Sequence, residues 1–168
     1  MARYKNSRDK DGGCSDDGYR AETLFMRTLK SLGDTPERVF NLEDQLSGID
    51  VKSLMMGSVD VKAIRRVGRD GEPQEEFIWV EFKNIVGQDG WLYSKADYIA
   101  FERGDDFVIV KRSDLIPLCE TLVDLNEKVQ SSNKALYHAY SRRGRRDLIS
   151  MIKMEDLFLI PHLLLEKP

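Results

Sequence analysis

Cysteine and histidine are scarce in this chain, with two of each among 168 residues. Cys14 and Cys119 lie far apart and form no C-x-x-C pair, and His138 and His162 have no partners at ligand spacing. Neither a zinc site nor a disulfide framework is expected from such a set, and the cysteines read as ordinary reduced thiols. No apolar run approaches the roughly 18 residues that a membrane-spanning helix needs. The opening Met1-Ala-Arg-Tyr-Lys5 lacks the apolar centre of a signal peptide, so the expected setting is cytoplasmic. A glycine-rich phosphate loop, a Ser/His/Asp order and a dinucleotide fingerprint are also missing. No repeat of solenoid length recurs.

What is present belongs to a folded domain. Hydrophobic residues make up 41% and charged residues 33% of the chain, and the length suits one core-bearing unit. The expected layout is a polar arm over residues 1–18, a core over 19–130 and a basic extension over 131–168 packed on that core. A net charge of −3 argues against a uniformly basic surface, yet the charge is unevenly spread. Between Lys134 and Lys153 the chain carries Arg142, Arg143, Arg145 and Arg146 against Asp147 alone. Arg65, Arg66 and Arg69 form a second basic cluster, whereas residues 97–127 are acid-rich. Such polarity suits a protein that presents one face to a polyanion.

Periodicity supplies the elements. Ala21, Leu24, Phe25, Thr28, Leu29 and Leu32 recur at helical spacing, with Asp16 or Asp17 as cap and Gly33 as stop, so a helix is predicted over about 17–33. Short strands are predicted at 38–42, 48–54 and 58–64, the last two as a hairpin, and 76–84 is read as a strand that extends this meander. A second hairpin is predicted from 96–101 and 107–111. Leu115, Leu118, Leu122, Leu125 and Val129 then predict a helix capped by Ser113 and ended by the serines at 131 and 132. The expected class is α/β (α+β), a mixed and mainly antiparallel sheet flanked by helices.

One short pattern recurs on these strands: Asp50-Val-Lys52, Asp60-Val-Lys62 and Glu81-Phe-Lys83. Strand side chains alternate, so each acid shares a face with its own lysine, and adjacent strands can concentrate several carboxylates on one patch. Carboxylates at that density repel unless a cation lies between them, and hard oxygen donors favour Mg²⁺ or Mn²⁺. The same residues would also serve as solvent-facing charges of amphipathic strands, where each pair contributes only tenths of a kcal/mol. Against that, the flanking Ile49, Val51, Val59, Val61 and Phe82 are apolar, and Gly48 and Gly57 permit close backbone approach.

Gly48-Ile-Asp50 followed ten residues later by Asp60-Val-Lys62 resembles the signature of the PD-(D/E)xK nucleases, the superfamily with restriction-endonuclease-like folds. Glu22, in Tyr19-Arg-Ala-Glu-Thr-Leu-Phe25, matches the helix glutamate that similar members carry. Trp79-Val-Glu-Phe-Lys-Asn84, Gly90-Trp-Leu-Tyr93 and Ala96-Asp-Tyr98 resemble segments of phage and homing-type members. The resemblance spans about residues 19–112, with Asp60 where glutamate is commoner and no proline before Asp50. It implies a Mg²⁺- or Mn²⁺-dependent DNA endonuclease in which Asp50, Asp60 and the Val61 carbonyl hold the metal. Lys62 would then position the attacking water, Glu22 would be an auxiliary ligand, and a homodimer or higher homo-oligomer is implied by members that act on two strands. A second frame pairs Asp60 with Glu81-Phe-Lys83. A module that keeps the fold but only binds nucleic acid or a partner is the alternative.

Among the remaining features, the Ser141-Arg-Arg-Gly-Arg-Arg146 run is a candidate grip on successive phosphates through Arg142, Arg143, Arg145 and Arg146, with Arg65 and Arg66 beside it. A plain solvated loop reads equally well. Trp79, Trp91, Tyr93 and Tyr98 are expected mainly as packing residues, since strand aromatics usually are.

Overall fold

The computed structural model describes residues 13–66 and 71–168, with side chains from residue 16 onward. Most of the expected arm, residues 1–12, and Arg69 lie outside the described residues. Residues 13–18 already belong to the first helix, α1 (Gly13–Ser31), which buries Ala21, Phe25, Thr28 and Leu29 along one stripe. Gly33, at φ 90°, ends it, and the Asp34 N–H donates back to the Leu29 carbonyl.

The strands that follow are β1 (Glu37–Arg38), then, after the short helix α2 (Leu42–Leu46), β2 (Val51–Ser53), β3 (Gly57–Lys62), β4 (Arg65–Arg66), β5 (Pro73–Gln74) and β6 (Phe77–Lys83). A 3₁₀ turn at Trp91–Tyr93 leads to β7 (Tyr98–Glu102), β8 (Asp106–Lys111) and helix α3 (Arg112–Leu122). The chain closes through β9 (Asp124–Lys128), β10 (His138–Ala139), β11 (Leu148–Lys153), a 3₁₀ segment at Met154–Leu159 and β12 (His162–Glu166).

Six of these strands form the main sheet in the order β1-β2-β3-β7-β8-β12. Every neighbouring pair is antiparallel except β3 and β7, which run parallel. The fold is therefore mixed α+β with a mainly antiparallel sheet. Period two sorts the side chains between its faces. Val51, Val59, Val61, Ala100, Phe107 and Ile109 pack with Ala21, Phe25 and Leu29 of α1. Ile99, Phe101, Val108 and Val110 face the other way, onto Val80, Phe82, Leu92, Leu115 and Ile152. Each fully buried aliphatic or phenyl group contributes about 1.5–3 kcal/mol.

Several expectations are corrected here. β6 does not extend the meander but pairs with β11 in a separate two-stranded sheet that lies over the main one. Alternation shows that Phe77–Lys83 is a strand and says nothing of its partner. Residues 38–42 give only a two-residue strand, because Asn41 caps α2, its Oδ1 accepting the Asp44 N–H at 2.8 Å. The helix expected up to 129 ends at Leu122, and Asp124–Lys128 is a strand. A spacing of four fits one helical turn and two pleats alike, so Leu125 and Val129 could not decide between them. Residues 131–168 pack into the body of the fold, with β11 on β6 and β12 as an edge of the main sheet. No helix among the described residues is long and apolar enough to cross a membrane.

Candidate active site at the central hairpin

The hairpin of β2 and β3 pairs Val51 with Val59, and the Asp50 N–H donates to the Val59 carbonyl at 3.0 Å. One step further along this register sets Asp50 across from Asp60. With the valines committed to α1, alternation turns Asp60 and Lys62 to the opposite face. Asp50 accepts the Val61 N–H through Oδ2 at 2.8 Å. Asp60 is 2% exposed, and its Oδ1 lies 2.8 Å from the Lys62 Nζ. Its Oδ2 is buried with no hydrogen-bond partner among the described residues.

These surroundings set the protonation of Asp60. Burial pushes its carboxyl up, the Lys62 ammonium pulls it down, and the neighbouring Asp50 carboxylate pushes it up again, to about 7. Lys62 is oriented from its other side by Trp91, whose ring centroid is 4.7 Å from Nζ. Trp91 itself is braced edge-on by Phe101 at 6.0 Å.

Glycine is required beside this pair. Gly48 has φ 73°, and a Cβ there would stand 2.7 Å from the Ser94 Cβ and 3.9 Å from Asp60 Oδ2. Ser94 Oγ is likewise buried without a partner among the described residues. Across the same gap the Lys95 N–H donates to the Ser47 carbonyl at 2.9 Å, tying the 91–95 turn over the hairpin. Two partnerless buried oxygens therefore border one small space beside Gly48.

Glu81 reaches the edge of the site from β6. Burial raises its carboxyl, while the Trp91 N–H, 3.4 Å from Oε1, and the charges of Lys62 and Arg142 lower it, with the net direction upward. Gly90 presses on the Glu81 carbonyl so closely that any side chain would collide with it. Lys83, its partner in the second frame, is exposed at the far end of β6.

Glu22, expected as an auxiliary ligand, is placed on the side of the sheet that α1 covers. It is ion-paired with Arg38, whose guanidinium stacks 3.8 Å from the Tyr19 ring centroid. Arg38 pairs in register with Val51, on the helix side of the sheet, so the sheet separates Glu22 from Asp60. No group of three or more His, Cys, Asp or Glu side chains placed to hold a metal exists among the described residues. Asp50 and Asp60 form a pair, and the contact that Val61 makes there is through its N–H.

The basic residues divide by role. Arg142 donates through its backbone N–H and Nε to Asp147, which is fully buried, while Arg143 and Arg146 are exposed and Arg145 is half-buried. Arg65 lies 5.2 Å above the Trp79 ring with Met151 beside it, whereas Arg66 is exposed. Sequence reasoning missed Ser94, the Trp91 contact and the Asp147 anchor. Only the single acid inside an arginine run was a visible signal, for Asp147. No protein-family model, curated protein or solved structure matches the chain.

Proposed function

We propose that the chain is a metal-dependent DNA endonuclease that uses Mg²⁺ or Mn²⁺ at the central hairpin. The observation that carries this reading is Asp60: a buried carboxylate beside a second carboxylate, with one oxygen on Lys62 and the other without a hydrogen-bond partner among the described residues. Buried polar atoms without partners are rare, and a catalytic role or a bound ion or water explains them. The donors beside the gap are hard oxygens, which suit a small divalent cation. Asp50 and Asp60 would hold the ion, with the Val61 carbonyl and Ser94 Oγ within the same neighbourhood. Bound there, the ion supplies a Lewis acid toward the scissile phosphate.

The chain's own groups supply the rest. Lys62, fixed between Asp60 and the Trp91 ring, orients the attacking water and offsets the charge that grows on a phosphate oxygen as the P–O bond to the leaving group breaks. Arg143 and Arg146, with Arg66, present exposed guanidiniums to backbone phosphates, which position the strand without reading its sequence. Self-association into a dimer would place two such sites on two strands.

A second reading, a nucleic-acid-binding or interaction module without turnover, is favoured by the ion pair that keeps Glu22 on the opposite face and leaves the site two carboxylates. Incubation of wild type and Lys62→Ala with plasmid and branched DNA, with Mg²⁺ or EDTA, separates the two. Nicking that needs the metal and disappears in the variant supports the enzyme. DNA binding without any metal-dependent nicking supports the module.

A further inference from the structure

Next to the carboxylate pair, β6, the 91–93 turn and the segment around β10 and β11 enclose a cleft of about 530 Å³, a size ordinary for ligand pockets. Trp79, Trp91 and Tyr140 line it, together with Glu81 and Arg142. Phe82 and Phe101 on neighbouring strands are buried in the core, but these three aromatics are only half-buried, around open space. The Trp79 and Tyr140 rings stand 6.3 Å apart at 44°. Trp91 joins cleft to hairpin, since its ring also carries the Lys62 ammonium. Asp147 holds Arg142 by Nε and the backbone N–H, which leaves the terminal amino groups for a phosphate. The Glu81 carboxylate is an acceptor for the amino or imino edge of a planar ring.

Aromatic walls reward a flat, unstacked group, and a base in an intact duplex has both faces covered already. We propose that this cleft receives an unstacked nucleobase of a single-stranded stretch of DNA, with the adjoining phosphate on Arg142 and toward Lys62. The inference rests on the nuclease reading for the identity of the strand, and it narrows the substrate to single-stranded or branched DNA.

Trp79 and Trp91 are the only tryptophans of the chain, so its tryptophan emission reports on this cleft. The full-length protein in EDTA is titrated with a single-stranded octanucleotide, with an abasic oligomer of equal length and with a blunt duplex. Emission quenched by the octanucleotide, bound about ten-fold or more tightly than the abasic oligomer, is the result expected of one stacked base. Trp79→Leu and Tyr140→Ala should bring octanucleotide affinity down to the abasic level and leave duplex affinity unchanged, while Trp79→Phe retains it. Should Trp79→Leu fail to fold, judged by its circular dichroism, the octanucleotide and abasic titrations of the wild type decide alone. Equal affinity for the two oligomers, or emission indifferent to both, overturns the inference. Metal-dependent cleavage with no base-dependent binding removes the cleft proposal and keeps the nuclease. Base-dependent binding without cleavage does the reverse.

Discussion

Two buried carboxylates on adjacent strands of one sheet have opposite surroundings. Glu102, 3% exposed at the end of β7, accepts both terminal nitrogens of Arg20 at 2.7 Å, the Ile64 N–H at 2.9 Å and the Lys167 ammonium at 3.1 Å. Burial pushes its carboxyl up, but the hydrogen bonds from Arg20, Ile64 and Lys167 prevail and hold it below the usual range. Asp60 is as deeply buried, yet has one lysine, an acid neighbour and an oxygen with no partner among the described residues, and rises to about 7. A satisfied buried acid holds elements together; a buried acid left short of donors is a candidate for chemistry or for a bound group.

The sharpest way to break this contrast is to neutralise each acid. Asp60→Asn should lower metal-dependent cleavage on the order of a hundred- to a thousand-fold, while its urea midpoint stays level or rises, since an under-partnered buried charge is removed. Glu102→Gln should do the opposite, keeping cleavage but destabilising the fold by about 2–3 kcal/mol in urea unfolding, because Arg20 and Lys167 lose their common partner. Arg20 is 43% exposed and regains water, which keeps the cost below that of a sealed pair.

Smaller effects sharpen the comparison. Gly48→Ala should cost about 1–3 kcal/mol, because φ 73° and the Ser94 Cβ both oppose a side chain. In metal-free protein, pH should separate the two acids. Asp60 keeps its proton in the folded chain up to about pH 7, whereas an unfolded aspartate loses it near about 3.9. Its stabilising contribution is complete below about pH 4 and is lost as pH rises to 7. The stability of Asp60→Asn relative to wild type should therefore climb across that window and then level off, as read by urea midpoints from pH 4 to 8. Glu102 contributes above the ordinary glutamate pKa of about 4.3 and loses that contribution as pH falls through its lowered value. Ser94→Ala should have the smallest effect, within about 1 kcal/mol and toward greater stability, because the hydroxyl it removes is buried and unbonded.

The hairpin was legible because its evidence is local. Gly48, the alternation from Asp50 to Lys62 and a tight turn at 54–56 are all contained in fifteen residues, and period two alone turns Asp60 and Lys62 to one face. Glu22 was assigned by resemblance, which does not say which side of the sheet α1 covers, and Arg38 takes the carboxylate there. The partners of Glu102 stand 82 and 65 residues away, beyond any periodic signal. Nothing local marks Trp79 and Trp91 as more than packing aromatics, because the cleft they line exists only where β6 pairs with β11.

β12 lies against β8 as an edge of the main sheet, and Lys167 just beyond it reaches the carboxylate that Arg20 of α1 already grips. During translation the helix is made early and this lysine late. Without residues 162–167, Glu102 would face a single cation and β8 would be left as an open sheet edge, ready to pair with another chain.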